Sequence, residues 1–455
     1  MSKTQLKAVL SQEELPTDYY NIQHDLPEPL PPPLDPGTLK PMAPEPLLRL
    51  FAKECVMQEV SREEHIPIPD EVRDAYLRLG RPTPLYRAVR LEAKLNTPAK
   101  IYFKREDLNP VGSHKPNTAI AQAYYHMKEG TERLTTETGA GQWGSALALA
   151  TAFFDIDLTV YMTRSSYDQK PYRRTLMEVY GAEVNASPSP KTNAGKRFLA
   201  QDPDHPGSLG IAISEAVEDC VTHDNTKYAL GSVLNHVLTH QSVIGQEAKL
   251  QMEEFGDDPD FIVGCIGGGS NYAGLAYPFM RDKLRGRSTA QFVAAEPKAV
   301  PSTTRGEYRY DFADTGETTP LVKMHTVGHG YQCPPIHAGG LRYHGKAPSM
   351  CMLIDKGFMR SVAYTQNEIM EAGILLAQTE GIVAAPESNH AVKAAIDIAL
   401  ECKRKNEAKT ILFNLSGHGL LDLKAYEDKL ANRLVDYEPD SATLRKALEN
   451  LPVVR

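Results

Sequence analysis

Lys115 is placed where it could act as a nucleophile. It lies in a loop of small and turn-forming residues, LNPVGSHKPNTA, at positions 108–119. Apolar residues precede the loop and small apolar residues follow it. We therefore expect a strand, a tight loop and a helix start that hold the amine inside a cleft. Burial lowers the pKa of an amine, and a neutral amine attacks carbonyl carbons. The alternative at this point is a buried lysine with a structural role only.

A second loop has the composition of a phosphate-binding site. The sequence FIVGCIGGGSNYAG at positions 261–274 indicates a hydrophobic strand, three glycines and a helix start. Glycines let the backbone approach an anion closely, and the N–H groups of a helix start carry partial positive charge. The loop lacks both the G-x-G-x-x-G spacing and the P-loop lysine, so we expect a cofactor monophosphate rather than a dinucleotide. The alternative is an ordinary tight turn.

A third loop, TETGAGQWGSA at positions 136–146, combines an acid with free backbone N–H groups. Its glycines can present N–H groups to the carboxylate of a substrate. Glu137, at the start of the loop, can act there as an acid or a base. The alternative is a surface glutamate that precedes a helix.

Two further segments carry polar side chains that could reach a ligand. TILFNLSGHG at positions 410–419 predicts a buried strand that ends at Ser416, and a hydroxyl at the carboxyl end of a strand can bond to a ring nitrogen. The alternative is a common Ser-Gly turn. Histidines at positions 325, 329, 337 and 344 fall among prolines and glycines with no common zinc spacing. We expect no metal there and prefer a loop that covers the site.

Composition narrows the class of protein. The chain has 455 residues and a net charge of −8, without a run of basic residues, so nucleic acid is not an expected partner. The six cysteines form no C-x-x-C pair, which is typical of a reducing compartment. The longest apolar run, at positions 146–154, is too short to cross a bilayer. We expect a soluble cytoplasmic protein without membrane contacts.

Strand and helix patterns alternate along the chain, which predicts an α/β fold with a mostly parallel sheet and helices on both faces. Strands are predicted at 99–103, 158–161, 261–266, 292–295 and 410–414. Helices are predicted at 45–60, 118–128, 142–154, 172–180, 237–255 and 366–379. Residues 25–36 hold six prolines, and their leucines favour an extended arm packed on the body over a disordered linker.

Taken together, these motifs resemble the β chain of tryptophan synthase, a pyridoxal-phosphate (PLP) enzyme of fold type II. The likeness covers nearly the whole chain. It rests on the proline-rich arm, RPTPL, GSHKPNTA, ETGAGQWG, GGGSN, PPIHAGGLRYHG, EGIVAAPESNHA and NLSGHG. The long arm and the tryptophan in GAGQWG, where the commoner class of β chains has histidine, point to the second, longer class.

The resemblance implies two interleaved domains, each with a mostly parallel sheet flanked by helices. One would comprise residues 1–80 and 115–235, with the arm and a mobile subdomain near 130–222. The other, comprising residues 81–114 and 236–455, would bind the cofactor.

The resemblance also implies a role for each candidate residue. Lys115 would form the Schiff base with PLP and take the Cα proton, and Glu137 would accept the N–H proton of indole. Ser416 would meet the pyridine nitrogen, and its neutral hydroxyl favours β-elimination over transamination. The other implied cofactor contacts are His114, Gly267, Gly268, Gly269, Ser270, Asn271 and Glu387. The implied substrate contacts are Thr138, Gly139, Ala140, Gly141, Gln142 and Trp143.

The implied reaction joins L-serine, or a serine derivative, to indole and gives L-tryptophan. A homodimer is implied, while the sequence does not decide whether an α chain or a monovalent cation binds. A serine/threonine dehydratase or a threonine synthase is one alternative, against which His114 argues. A silent PLP-binding protein is another, against which Lys115 and Glu137 argue. The arginine that follows the serine in the commoner class is missing, and its serine-closing aspartate has no clear match in 325–335. The preferred leaving group is therefore not predicted.

Overall fold

Strands and helices alternate along most of the chain in the computed structural model, which describes residues 5–449 and 451–454. The strands are β1 (Lys7–Ala8), β2 (Asp18–Tyr20), β3 (His65–Pro67), β4 (Leu85–Arg87), β5 (Lys100–Arg105), β6 (Arg133–Thr138), β7 (Asp157–Thr163), β8 (Glu183–Ser187), β9 (Thr226–Tyr228), β10 (Phe261–Cys265), β11 (Gln291–Pro297), β12 (Glu307–Phe312), β13 (Leu321–Thr326), β14 (Met359–Tyr364) and β15 (Thr410–Leu415). The helices are α1 (Leu47–Leu50), α2 (Lys53–Val60), α3 (Asp70–Arg78), α4 (Val89–Leu95), α5 (Pro116–Lys128), α6 (Gln142–Phe153), α7 (Arg164–Gln169), α8 (Pro171–Val179), α9 (Asn193–Gln201), α10 (Leu209–Thr222), α11 (Asn235–His240), α12 (Val243–Phe255), α13 (Ser270–Leu284), α14 (Pro348–Asp355), α15 (Gln366–Glu380), α16 (Pro386–Lys405), α17 (Leu423–Leu430) and α18 (Ser441–Leu448).

The larger sheet has seven strands in the order β1-β4-β5-β15-β10-β11-β14. From β5 to β14 all neighbours are parallel, and β4 and β1 join one edge antiparallel. Alternate residues of β15 belong to different cores. Leu412 belongs to the core on the side of α12 and α13, whereas Ile411 and Phe413 belong to the core that contains α15 and α16. Helices cover both faces, so the central strands β10 and β15 consist mainly of buried apolar residues, as is usual in parallel sheets.

The smaller sheet has four parallel strands in the order β8-β7-β6-β9. Glu137 is the penultimate residue of its strand β6. Helix α6 follows β6 directly, and α10 packs across β6 and β7. The two sheets together confirm the predicted α/β fold class. The limits of the two domains stay a prediction, and β1, near the amino end, pairs within the larger sheet.

The proline-rich arm lies on the body of the protein, as predicted. Leu34 is buried with Leu321 and Phe312, and its backbone exchanges two hydrogen bonds of 2.9 Å with Leu321 at the start of β13. Strand β13 forms an antiparallel hairpin with β12. The arm therefore packs against this hairpin.

Two predicted helices are interrupted. The helix expected at 45–60 breaks at Phe51, which adopts an extended conformation and is buried in the core. The helix expected at 237–255 is divided between α11 and α12 at Ser242, whose side chain accepts a hydrogen bond of 2.8 Å from the backbone N–H of Tyr20. Contacts with distant parts of the chain, and not the local sequence, therefore determine where both helices are interrupted. No helix within the described ranges is long and apolar enough to cross a membrane.

Candidate active site

A cavity of about 450 Å³ lies where strands of both sheets end. The loops after β5, β6, β10 and β15 all contribute to its wall, and ligands of open α/β sheets bind at such carboxyl ends. Every predicted site residue lines this cavity except Gly141. Segments that are far apart in the sequence therefore meet in one place.

Lys115 immediately precedes α5 and projects its amine into the cavity. The Nζ atom donates hydrogen bonds to the carbonyl of Gly231 and, at 3.2 Å, to the hydroxyl of Ser270. In the described part of the chain the amine has no carboxylate within ion-pair distance. Burial lowers the pKa of Lys115 to about 8, which a nearby carboxylate, Glu137, partly opposes. A useful fraction of the amine is therefore neutral near physiological pH.

The glycine loop after β10 has no room for side chains. A Cβ on Gly268 would lie 2.5 Å from the hydroxyl oxygen of Ser232, and one on Gly267 would lie 2.3 Å from the carbonyl oxygen of Gly340. Gly269 has a φ of +116° and directly precedes α13. The loop thus brings bare backbone and the start of a helix of 15 residues to the cavity wall, which suits a phosphate group.

His114 connects the glycine loop to the segment around Ser416. Its Nε2 lies 3.3 Å from the hydroxyl of Ser270, and its Nδ1 lies 3.3 Å from the carbonyl oxygen of Ser416. Burial lowers the pKa of the imidazole to about 3, so His114 is neutral at physiological pH.

Ser416 lies among neutral groups at the end of β15. Its hydroxyl oxygen is 2.7 Å from the hydroxyl of Ser388 and 3.6 Å from the thiol of Cys265. Burial raises the pKa of that thiol to about 12, so it carries no charge. A ring nitrogen placed here would meet a hydroxyl and not a carboxylate.

Glu387 joins two loops of the site. Its Oε1 accepts a hydrogen bond of 2.9 Å from the backbone N–H of Gly340, and its Oε2 accepts one of 3.4 Å from the side chain of Gln142. The carboxylate thus links the loop after β6 to the loop that precedes α14.

Glu137 is buried at the cavity, with 4% of its surface exposed. Burial raises the pKa of its carboxyl to about 7, while the hydroxyl of Tyr228, which donates a hydrogen bond to it, acts in the opposite direction. Burial also raises the pKa of Tyr228 well above its usual value, so the phenol remains a donor. A carboxyl with this pKa can exchange protons near neutral pH.

Trp143 has a packing role at the start of α6, next to the loop after β6. Its indole N–H donates a hydrogen bond of 2.7 Å to Thr136, and its ring lies against Gly231, where a Cβ would approach it to 2.4 Å. The carbonyl oxygen of Gly231 accepts a hydrogen bond from the amine of Lys115. Trp143 therefore supports the position of the amine as well as the loop.

Sequence reasoning missed several residues of the cavity wall. Tyr228 and Ser232 line the cavity and bond to Glu137 and Ser270, but they were not singled out. Ser388, which lies outside the wall and bonds to Ser416, was not singled out either. Strand β9, which ends at Tyr228, has only three residues, so no periodic pattern marks it. The four histidines do not line the cavity, whereas residues 339–341 and Tyr343 of the same segment do.

Comparisons with known proteins agree with this geometry. Residues 76–417 match the family described as pyridoxal-phosphate dependent enzyme. The chain is 61% identical to "Tryptophan synthase beta chain 2" of Thermococcus kodakarensis over 96% of this chain and 98% of that one. It is 60% identical to the protein of the same name from Pyrococcus furiosus, over 98% of this chain and 100% of the relative.

The chain belongs to the family of tryptophan synthase β chains. The predicted family, its second class and the dependence on PLP are thereby confirmed. Among solved structures, a fungal L-serine ammonia-lyase from Rhizomucor miehei superposes with a TM-score of 0.58 at 15% identity, over 77% of this chain and 98% of that one. That likeness concerns the fold alone.

Proposed function

We propose that this protein joins L-serine, or a serine derivative, to indole and produces L-tryptophan with PLP as its cofactor. The proposal rests on identities near 60% to tryptophan synthase β chains over nearly the full chain. The observation that carries it is that Lys115 and Glu137 line one cavity, with pKa values of about 8 and about 7. Two groups that exchange protons near neutral pH can serve two separate proton transfers.

The residues at the cavity fit PLP. The bare backbone of residues 267–269 and the start of α13 suit its phosphate, with His114 beside them. The amine of Lys115 suits its aldehyde, and the hydroxyl of Ser416 suits its ring nitrogen. When bound, PLP supplies an electrophilic carbon and a ring that withdraws electrons from the substrate. Ser416 offers the ring nitrogen a neutral hydroxyl and not a carboxylate. The nitrogen therefore stays largely unprotonated, which favours elimination and replacement at the β-carbon over transamination.

The protein's own groups then bind and deprotonate the substrates. The backbone of the loop formed by residues 138–143 binds the carboxylate of the amino acid. Lys115 takes the proton from its Cα, and the hydroxyl or other leaving group departs from the β-carbon. As the C3 atom of indole bonds to that carbon, Glu137 accepts the proton from the indole nitrogen and returns it when C3 loses its own proton. Lys115 returns a proton to Cα, and a hydroxyl leaving group ends as water. Apolar side chains of α10, including Leu209 and Ile213, line the same cavity and suit the indole ring.

The proposal also covers features that the family resemblance alone supports. These are a homodimer and a cytoplasmic location. The resemblance leaves open whether an α chain or a monovalent cation binds. The proton transfers proposed for Lys115 and Glu137 do not involve either of them.

One assay tests the function directly. The purified protein is incubated with PLP, L-serine and indole, and L-tryptophan is measured by chromatography. A parallel reaction without indole is analysed for pyruvate and ammonia. We expect tryptophan to form in the first reaction. Pyruvate and ammonia without tryptophan in the complete mixture would instead identify a serine dehydratase, and a second complete mixture with O-substituted serines would identify the preferred leaving group.

A further inference from the structure

Arg173, near the start of α8, is fully buried although it is outside the cavity. It is among the largest side chains that have less than 2% of their surface exposed. Its Nη2 lies 3.2 Å from Oδ2 of Asp422, and Nζ of Lys170 lies 2.6 Å from Oδ1 of the same carboxylate. Burial of charges is costly unless they are paired, so the three side chains must keep their mutual positions. We call Lys170, Arg173 and Asp422 the buried triad.

The buried triad contacts three loops of the candidate site. Asp422 lies in the segment that follows Ser416. Arg173 also donates a hydrogen bond of 3.4 Å from Nη1 to the carbonyl oxygen of Val111, in the loop that ends at Lys115. The third loop turns at Gly141 with a φ of +92°, and a Cβ there would lie 2.9 Å from the Cβ of Arg173. Gly141 is the one predicted site residue outside the cavity because it faces this arginine.

The triad also has a charge imbalance. It holds two cations and one carboxylate. Two imidazoles lie near it, and burial lowers the pKa of both, helped by the charge of Arg173 at His418 and by that of Lys170 at His337. An excess of positive charge therefore lies behind the turn at Gly141. The opposite side of this loop faces the cavity, where an anionic group would gain from a positive potential in a poorly solvated place.

We propose that Arg173 is a positioning residue, which fixes the turn at Gly141 relative to Lys115 and so sets the affinity for the amino-acid substrate. Asp422 and Lys170 hold the guanidinium in the orientation that this requires. The inference rests on the proposed function, because it takes residues 138–143 as the loop that binds the carboxylate. Arg173 touches neither substrate nor cofactor.

The test uses the PLP-loaded full-length protein and the variants Arg173→Lys and Asp422→Asn. L-serine is titrated while the visible absorption of the cofactor is recorded, which gives a dissociation constant without turnover. We expect this constant and the KM for L-serine to rise roughly tenfold in both variants, since misplacement of about 1 Å costs up to ~100-fold. The KM for indole and the absorption before serine is added should stay unchanged. The loss should be larger in Arg173→Met than in Arg173→Lys.

Arg174→Met is the matched control. Arg174 is the next residue of α8, but its side chain is 32% exposed, pairs with Glu178 at 3.7 Å and lies 4.6 Å above the ring of Tyr167. We expect wild-type serine affinity in this variant. Thermal unfolding of every variant is measured in parallel. If Arg173→Lys and Asp422→Asn unfold at lower temperature but bind L-serine within twofold of wild type, the triad has a structural role only and the proposal is wrong.

Two other outcomes are also decisive. Equal increases in the KM values for serine and indole would contradict a specific effect on the carboxylate loop. The wild-type protein could respond to L-serine in its absorption and yet make no tryptophan. This result would contradict the proposed reaction, but the serine titrations of the Arg173 variants would still test the role of Arg173. A wild-type spectrum that does not respond to L-serine at all would contradict both proposals.

Discussion

At the scale of single residues, Lys115 is the group on which the proposed chemistry depends most directly. Only a primary amine at this position can bond covalently to the aldehyde of PLP. We expect Lys115→Ala to abolish both the visible absorption of the bound cofactor and the synthesis of tryptophan. Absorption spectroscopy of the dialysed protein measures the first effect, with Lys128→Ala on the exposed end of α5 as control. A variant with an unchanged visible spectrum would exclude Lys115 as the attachment site.

Glu137 is proposed to act only when indole reacts. The variant Glu137→Gln should therefore bind PLP and respond spectroscopically to L-serine like the wild type. Its rate of tryptophan formation should fall about 10²–10⁴-fold, the usual cost of losing a positioned acid–base group. Glu132→Gln, at an exposed position before β6, is the matched control. Retention of most of the activity in Glu137→Gln would assign the base to another residue.

Tyr228 adjusts the pH at which Glu137 can act. Burial raises the pKa of Glu137 to about 7, and the hydrogen bond from Tyr228 holds it below the value that burial alone would give. Removal of the phenol in Tyr228→Phe should raise that pKa further. A base works only when deprotonated, so activity should decline at a higher pH on the acid side than in wild type. The measurement is kcat against pH between 5 and 9, in which the alkaline side serves as internal reference. An acid limb that stays in place or moves to lower pH would refute this coupling.

Residue types that act locally can be recognised in the sequence, whereas residues that act through distant contacts cannot. Lys115 and the glycines at 267–269 carry their chemistry in the adjoining sequence, and all line the cavity. Tyr228 and Asp422 matter because of Glu137 and Arg173, from which they are separated by long stretches of chain. No local pattern reports such a pairing.

At the scale of elements, the close packing of the loop between β10 and α13 predicts that a side chain added there weakens cofactor binding. Because a Cβ on Gly268 would lie 2.5 Å from the hydroxyl oxygen and 2.8 Å from the Cβ of Ser232, Gly268→Ala must displace the backbone that faces the phosphate. We expect the dissociation constant of PLP to rise at least roughly tenfold, a loss of about 1.4 kcal/mol. Titration of the cofactor-free protein with PLP measures it.

Gly330→Ala is the control for that substitution, because a Cβ there meets nothing within 4 Å and the backbone has no positive φ. This variant should bind PLP like the wild type. Equal affinity of Gly268→Ala and wild type would mean that the phosphate lies elsewhere.

The elements themselves were predictable where burial is uniform along them. Strands β10 and β15 are apolar runs, and the structure places both inside the larger sheet. Short strands such as β9, and the breaks at Phe51 and Ser242, could not be predicted. A three-residue strand has no period, and a break that depends on a contact with Tyr20 has no signal of its own.

At the scale of the whole molecule, we expect two copies of the chain to associate. Oligomers of identical chains with closed symmetry are most often dimers. The family resemblance implies a dimer here. Light scattering coupled to size exclusion should give a mass twice that of the 50.3 kDa chain. Dilution over two orders of magnitude is the control for weak association. A stable species of the single-chain mass would contradict the dimer.

The position of the proline-rich arm also sets an order of events during protein synthesis. Residues 25–36 leave the ribosome early, yet the backbone partner of Leu34 is Leu321, which emerges only after most of the chain. Residues 30–33 form part of the cavity wall, so this wall is absent while the chain is still short. Long-range contacts of this kind form late because the intervening chain must first be ordered. A nascent chain that stops short of residue 321 therefore lacks the contact for its arm and also β15, which lies between β5 and β10 in the larger sheet, so the cavity around Lys115 forms only when the chain is nearly complete.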